Sequence, residues 1–299
     1  MQKEAIKNTV LAIIACLLWS TAFVGIKIGL EYTTPIQFAG LRFFFSGLLL
    51  LPLVKSITKY ITAIKQNLWL VIKVSASQTF VLYALFYWGV DLIDGALAAI
   101  IIGSQPLFAA LTAHVMMSND KMSLRKTLII SSGISGIILI AIPKGISGPD
   151  SWNELLGIAL LVVANIASGV GNVFVSKNRN TISPIVLNSI QMIIGGALLF
   201  LFSLFTEPFN GFAFPTEYYL ALSWLSFLSA TAFTLWFFLL QKPGIKVSDL
   251  NIYKFIIPVF GATLSWVILP NESPDIISIA GMVIIGASVV LYSLLASKN

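Results

Sequence analysis

GSQPLFAA at residues 103–110 and IIPVFGA at residues 256–262 align when Pro106 is placed on Pro258. The same offset brings an Asn-Asp pair onto an Asn-Glu pair thirteen residues further on, without a gap. The chain therefore carries an internal duplication, and a duplication of this length decides how the whole fold is organised.

A second overlay extends the duplication toward the start of each copy. The Thr-Pro pair at residues 34–35 falls on the Ser-Pro pair at residues 183–184, and Gly47 then falls on Gly196. We therefore expect two related units, which we name the first copy (residues 1–147) and the second copy (residues 148–299).

The composition is that of an integral membrane protein. Of the 299 residues, 58% are hydrophobic and 10% are charged, and the mean hydropathy is +0.94. Soluble domains carry about 25% charged residues.

The formal charge of +6 does not indicate nucleic-acid binding, because the basic residues form no patch with interleaved aromatics. One cysteine and one histidine argue against a disulfide framework and a Cys/His metal site, and no cofactor is expected.

Apolar runs long enough to cross a bilayer, at about 20 residues each, recur along the whole chain. Only helices and closed barrels cross a bilayer, and runs this continuous indicate helices. The predicted fold class is all-α integral membrane, with ten transmembrane helices in two inverted five-helix repeats. The predicted spans are residues 8–30, 35–54, 68–90, 95–117, 124–143, 153–177, 184–205, 217–241, 247–269 and 275–296.

Charge predicts the orientation of these spans. With both termini in the cytoplasm, the lysines and arginines of the loops lie on the cytoplasmic side, and Lys144 is the exception. Five spans is an odd number, so the second copy must be inverted, which places Asp120 inside and Glu272 outside. Inverted repeats are typical of alternating-access transporters, whose substrate site lies where the repeats meet.

The loop at residues 55–67 carries isoleucines at helical spacing with lysines between them. This pattern is typical of an amphipathic helix lying on the membrane surface. An ordinary solvated loop is the alternative.

Short motifs in this arrangement resemble those of the drug/metabolite transporter superfamily, specifically its EamA-type ten-helix exporters. They are WSTAF at residues 19–23, LRFF at residues 41–44, YAL at residues 83–85, and a Pro-x-Phe followed by Asn-Asp or Asn-Glu near the end of each copy. The resemblance covers about residues 8–296. It implies a central cavity lined by helices one, three, four, six, eight and nine, and export of small metabolites, often amino acids, or of drugs.

Ionisable side chains at membrane depth are costly and mark functional sites by default. Lys254 lies about 10 Å inside the cytoplasmic end of the ninth span, at 1.5 Å per residue, and Asn251 and Pro258 share its helical face. Lys254 either binds a substrate carboxylate or phosphate, or pairs with Asp249 or snorkels to the inner surface. Arg42 matches an arginine typical of the family, and we expect it to be a structural charge bonded to helix ends or backbone carbonyls.

Neutral polar and aromatic side chains within the spans are the remaining candidates for substrate contact. An amide in lipid is expensive, so these side chains should face the interior. For each of them, bonding between helices is the alternative role. The predicted cavity residues are Trp19, Ser20, Gln78, Tyr83, Gln105, Asn165, Asn172, Trp236, Asn251 and Lys254.

No Asp or Glu lies in the middle of any predicted span. Exporters that couple protons to organic cations usually need a buried carboxylate, so that mechanism is disfavoured. His114 could titrate near neutral pH, but its place near the cytoplasmic end of the fourth span favours an interfacial polar residue.

Together these features predict a secondary transporter in the cell (inner) membrane that exports a small zwitterionic or anionic metabolite, or drugs. An importer or exchanger of a phosphorylated or nucleotide-linked metabolite is the alternative. An integral-membrane lipid-modifying enzyme would need a nucleophile–base pair or a metal set, which the sequence does not offer. Small residues in the fifth and tenth spans, such as Ser132 and Gly136, either pack the copies together or form a homodimer.

Overall fold

Every regular element in the described part of this computed structural model is a helix. The structure describes residues 2–93, 98, 101–141, 152–209, 211–268, 274 and 276–296. A π-helical turn (Ala76–Phe80) joins α4 to α5, and 3-10 turns lie at Leu51–Leu53 and Tyr253–Phe255. The α-helices are α1 (Gln2–Leu30), α2 (Pro35–Leu49), α3 (Ile57–Gln66), α4 (Leu68–Ser75), α5 (Val81–Asp91), α6 (Gln105–Met116), α7 (Leu124–Ala141), α8 (Trp152–Lys177), α9 (Pro184–Thr206), α10 (Thr216–Gln241), α11 (Val247–Ile252), α12 (Ile256–Ile268) and α13 (Ile276–Ala296).

Six helical stretches among the described residues are long and apolar enough to cross a membrane, and α13 adds a shorter apolar helix, Ile276–Leu291. The six coincide with the predicted spans one, two, three, six, seven and eight, and the predicted all-helical class is confirmed. The other predicted spans contain α6, α7, α12 and α13, and parts of these spans lie outside the described ranges, as Glu272 does. The six stretches are Lys3–Leu30, Pro35–Leu53, Leu68–Asp91, Trp152–Lys177, Pro184–Thr206 and Thr216–Gln241.

Prolines begin α2 and α9, as the sequence predicts. Pro35 and Pro184 stand in the first turn, where the missing N–H costs nothing because helix-starting amides have no partner within the helix. The Ser183 hydroxyl accepts a hydrogen bond from the Val186 N–H at 3.3 Å and caps α9. The overlaid Thr-Pro and Ser-Pro pairs therefore mark equivalent helix starts in the two copies.

The two other aligned prolines each follow an interruption in their helix. A turn at Ser104 separates the helical residues 101–103 from α6, which contains Pro106. The 3-10 turn Tyr253–Phe255 separates α11 from α12, which contains Pro258. Proline has no N–H, and its ring clashes with the carbonyl four residues earlier, so a regular helix cannot run through it undisturbed. The ninth span is for this reason not one continuous α-helix over residues 247–269.

The second helices of the two copies, α2 and α9, cross with their backbones in contact. A Cβ on Gly196 would lie 2.3 Å from the backbone nitrogen of Phe44, and a Cβ on Gly47 would lie 2.6 Å from the carbonyl oxygen of Ser189. The Ser189 hydroxyl donates to the Gly47 carbonyl at 2.8 Å. The second overlay superposes Gly47 on Gly196. The close packing of α2 on α9 therefore uses the equivalent glycine of each copy.

The small residues of α7 and α13 also pack these two helices against each other within one chain. The Ser288 hydroxyl donates to the Ser132 hydroxyl at 3.0 Å. A Cβ on Gly136 would lie 2.7 Å from the carbonyl oxygen of Gly281. Of the two roles expected for these residues, packing of the copies is therefore observed.

The segment at residues 55–67 contains a helix, as the amphipathic pattern predicts. Ser56 caps α3 by accepting from the Lys59 N–H at 3.4 Å. Ile57 and Ile61 are exposed, whereas Tyr60 is buried with its hydroxyl 3.2 Å from that of Ser189. The helix is thus tied to the bundle by Tyr60 and by the half-buried Ile64, and it presents Ile57 and Ile61 outward.

Replacing Gly196 by alanine should destabilise the protein, because the new methyl group would collide with backbone that cannot rotate away. We expect a loss of about 1–3 kcal/mol in the free energy of unfolding. Gly286→Ala is the matched control, since nothing lies within 4 Å of a Cβ there. Melting of the purified proteins in detergent measures the difference, and equal melting temperatures for the two variants would contradict the close crossing.

Candidate functional site

A cavity that water can enter, of about 180 Å³, lies between the two copies. Its lining comes from α1, α2, α5 and α6 of the first copy and from α8, α10 and α12 of the second, with the two interruptions beside it. Six of these helices, α1, α5, α6, α8, α10 and α12, lie in predicted spans one, three, four, six, eight and nine, which are the spans that the resemblance implies. The lining from α2, in the second span, is additional. The predicted residues that line it are Trp19, Arg42, Gln78, Tyr83, Gln105, Asn165, Asn172, Trp236 and Lys254.

Lys254 reaches across the cavity from the interruption before Pro258. Its Nζ donates to Gln105 Oε1 at 2.6 Å. It lies 4.9 Å from the ring centroid of Trp236 and 5.6 Å from that of Trp19. Aromatic faces attract a cation and the amide accepts one of its three hydrogens, but neither neutralises the charge.

The alternative pairing of Lys254 with Asp249 is not observed. Asp249 instead pairs with Lys126 at 2.7 Å. Lys126 also pairs with the buried Asp120 at 3.0 Å, and the other Asp120 oxygen accepts from the Ser248 N–H at 2.9 Å. Asp120 of the first copy therefore caps α11 of the second copy, away from the cavity.

Arg42 joins α2 to α10 and lines the cavity. Its Nε donates to the Ser229 hydroxyl at 2.8 Å, and its Cζ lies 5.0 Å from the centroid of the Phe43 ring. Its own carbonyl accepts from the hydroxyls of Ser46 and Ser226. The expected structural bond is therefore present, but its acceptor is a serine hydroxyl and not a helix end or a backbone carbonyl.

A chain of side-chain amides forms one polar side of the cavity. Gln78 lies in the π-helical turn, and its Nε2 donates to the Ser168 carbonyl and to Asn172 Oδ1, both at 3.0 Å. Asn172 Nδ2 in turn donates to Asn251 Oδ1 at 3.2 Å. Asn251 is fully buried behind Asn172 and is absent from the lining. It therefore orients a lining residue, and the π-helical turn, a feature frequent at functional sites, places Gln78 at the start of the chain.

Ser20 and Asn165 differ in where they point. The Ser20 hydroxyl donates to the Cys16 carbonyl of its own helix at 2.9 Å, and Ser20 is absent from the lining. Asn165 lines the cavity, and its Nδ2 donates to the Ile101 carbonyl at 2.5 Å. It thereby holds the short helical stretch that precedes the interruption at Ser104.

Aromatic residues not singled out from the sequence complete the lining. Phe233 lines the cavity, with its ring centroid 5.1 Å from Trp19 and 6.2 Å from Phe43. Phe86 also lines it, 6.2 Å from Tyr83. A phenylalanine in an apolar span looks the same in sequence whether it faces lipid or a cavity, so no signal distinguished these two.

His114 lies outside the cavity. Its Nδ1 accepts from the Met122 N–H at 3.1 Å, and its carbonyl accepts from Lys121 Nζ at 2.7 Å. These bonds hold the loop that follows α6, as an interfacial polar residue would.

Comparison with known proteins agrees with the helical architecture. A sequence model of the EamA-like transporter family matches this chain twice, over residues 7–142 and 155–294. A solved crystal structure superposes with a TM-score of 0.84 over 98% of both chains at 16% identity, and so has the same fold.

Relatives of similar length carry transporter names. The uncharacterized transporter YoaV of Bacillus subtilis is 24% identical over 284 residues, which is 95% of either chain. An uncharacterized transporter of Archaeoglobus fulgidus is 27% identical over 290 residues, 95% of this chain and 96% of its own. An S-adenosylmethionine/S-adenosylhomocysteine transporter of Chlamydia trachomatis is 21% identical over 284 residues, 92% of this chain and 86% of its own. With both copies matched by the family's sequences, the chain belongs to the EamA-like transporter family.

Proposed function

We propose that this protein is a secondary transporter that exports a small metabolite, an amino acid or related zwitterion or organic anion, by alternating access. The observation that carries the proposal is the cavity between the copies, where Lys254 of the second copy bonds to Gln105 of the first. A substrate carboxylate would displace Gln105 from the ammonium, because hydrogen bonds between two ionised groups are stronger than those to a neutral amide. Substrate binding would then change the contact between the copies.

The two separate matches to the family's sequences support a duplicated chain, with the first copy at residues 1–147 and the second at residues 148–299. In this proposal each copy contributes five spans, the second copy is inverted, and both termini lie in the cytoplasm. The long apolar helices support a multi-pass protein, and the cell (inner) membrane is the proposed location.

Equivalent positions of the two copies meet at the cavity, which also supports inverted copies. The offset that places Pro106 on Pro258 places Ile102 on Lys254 and Gln105 on Ile257. All four of these residues line the cavity. A site shared by superposable positions is what two copies related by a pseudo-twofold axis produce.

Contacts between the copies also close the bundle at two other places. The Asp120 carboxylate caps α11 through the Ser248 N–H. The Glu207 carboxylate caps α2 by accepting from the N–H groups of Ile36 and Gln37, both at 2.9 Å. In the proposed orientation Asp120 lies on the cytoplasmic side and Glu207 on the outer side. Alternating access would release one of these caps at a time.

A nucleotide-linked or phosphorylated substrate, imported or exchanged, is the second candidate. The relative named for S-adenosylmethionine transport supports a substrate that contains a nucleoside, and Arg42 and Lys254 provide two cavity cations for a phosphorylated one. The rings of Trp19 and Trp236 offer faces on which a base could stack. A lipid-modifying enzyme has weaker support, because the family and the relatives' names indicate transporters.

Lys254→Ala should lower transport of a carboxylate-bearing substrate about tenfold or more, the loss expected for a charge-assisted hydrogen bond. The substrate is chosen from a thermal-shift screen of amino acids, organic acids and nucleotides, and its uptake into proteoliposomes is measured. Lys73→Ala is the matched control, because Lys73 stacks on Phe174 in the same bundle and is absent from the cavity lining.

Unchanged uptake by Lys254→Ala would reject the role of this lysine. If detergent-solubilised protein converted the compound to a product without a closed membrane, the chain would be an enzyme. Preference for a nucleotide over the amino and organic acids would favour the second candidate.

The proposed orientation predicts which side of the membrane each loop faces. Single cysteines are placed at Lys3, Lys298 and the exposed Glu217 in a Cys16→Ser background, since the Cys16 side chain is buried. A membrane-impermeant maleimide should label Glu217→Cys in intact cells, and Lys3→Cys and Lys298→Cys only after the cells are permeabilised. Labelling that placed the two termini on opposite sides would contradict an even number of spans.

A further inference from the structure

We propose that Arg42 is a receptor for a substrate oxyanion and that the preferred substrate is an organic dianion whose second anionic group meets Lys254. This inference rests on the proposed function and names the substrate class of the same cavity. It assigns Arg42 a binding role in addition to its structural bond.

Arg42 is buried as a residue, and its guanidinium has unused donors at the cavity wall. The residue is 3% exposed and lines the cavity. Nε is occupied by the Ser229 hydroxyl, but Nη1 and Nη2 donate to no acceptor among the residues that the structure describes. A guanidinium is always charged and presents its N–H groups as a fork that matches a carboxylate. Donors of this kind, without a partner on a residue that lines a cavity, are complementary to an anion that enters the cavity.

The surroundings of Arg42 fix the direction of the guanidinium. Ser229 holds Nε from α10, and the Phe43 ring lies 5.0 Å from Cζ. With Nε bonded to Ser229, the two Nη groups remain as the donors that a ligand can meet. A fork held in this way loses little conformational entropy on binding, so bidentate contact with a carboxylate is favoured.

Charge balance points to two anionic groups on the ligand. Arg42 and Lys254 line the same cavity, and no Asp or Glu belongs to the described lining. An unpaired charge in a membrane interior is costly. A ligand with one anionic group would leave one of the two cations without a counter-charge, whereas a dianion would neutralise both.

A series of ring contacts connects the two cations. The Phe43 ring beside Arg42 contacts Phe233, Phe233 contacts Trp19, and the Trp19 ring lies beside Lys254. Of these rings, Phe233 and Trp19 line the cavity. The segment that joins the two anionic groups would therefore lie on aromatic rings, which favours a hydrocarbon or aromatic linker over a polyhydroxylated one. The volume of about 180 Å³ limits the ligand to a small molecule.

Isothermal titration of the purified full-length protein in detergent tests the inference. The probes are straight-chain dicarboxylates from succinate to suberate, the monocarboxylate of each matching length, and inorganic phosphate. For the wild-type protein, we expect one dicarboxylate length to bind about tenfold or more tightly than its monocarboxylate partner, the gain from a second charge-assisted contact. This comparison needs no substitution, so it does not depend on the folding of a variant.

Arg42→Lys keeps the charge and removes the fork. We expect it to weaken binding of the preferred dicarboxylate about tenfold and to leave binding of the monocarboxylate at Lys254 unchanged. Arg125→Lys is the matched control, because Arg125 is exposed on α7 and absent from the lining. Equal affinity of wild-type protein and Arg42→Lys for the dicarboxylate would overturn the role of Arg42.

Two further outcomes would overturn the substrate class: monocarboxylates that bind as tightly as dicarboxylates of every length, or phosphate that binds more tightly than any dicarboxylate. Failure of the proposed function gives a different result. Dicarboxylates would then bind in an Arg42-dependent manner without crossing the proteoliposome membrane. Conversely, Arg42-independent transport of a monoanion or zwitterion would support the proposed transporter function and overturn the dianion as its substrate.

Discussion

Two prolines that cannot donate a backbone hydrogen bond each follow an interruption in a helix, and the cavity lies beside both interruptions. Pro106 and Pro258 deny the carbonyls of Ile102 and Lys254 their normal helical partners. Backbone without helical bonding is tolerated at membrane depth only where it is buried in protein or lines a cavity. The residues concerned, Ile102 and Lys254, both line the cavity. The position of the site therefore follows from the same constraint that interrupts the helices.

The two cavity cations, Lys254 and Arg42, have only neutral hydrogen-bond partners in the part of the chain that the structure describes. Lys254 bonds to the amide of Gln105 and lies over tryptophan rings, and Arg42 bonds to the hydroxyl of Ser229. A purely structural cation in this setting would be expected to have a carboxylate partner, because an unpaired buried charge is expensive. Neutral partners leave most of that cost in place until a ligand arrives. In the proposed alternating access, an anion that binds one arrangement of the copies more tightly than the other would shift the protein toward that arrangement.

Features that repeat or punctuate the sequence could be predicted, and features that depend on the direction of a side chain could not. The helix starts at Pro35 and Pro184 and most of the polar lining follow from local pattern. In the sequence, Asn172 and Asn251 are both polar residues within predicted spans. Only Asn172 faces the cavity, because Asn251 lies behind Asn172 and accepts a hydrogen bond from it. Phe233 lines the cavity but could not be predicted to do so, since the sequence does not show whether an apolar side chain faces lipid or a pocket. Periodicity assigns a residue to a helix face, and only packing decides what that face meets.

The caps that join the copies constrain how such a cavity could open. Asp120 and Glu207 each satisfy the first amides of a helix that belongs to the other copy, where the helix dipole also favours a negative charge. A rocking movement that opened one end would separate one carboxylate from its helix and leave buried amides without partners. That end must then admit water to replace the lost hydrogen bonds. In the proposed alternating access, opening and hydration would therefore be coupled at each end.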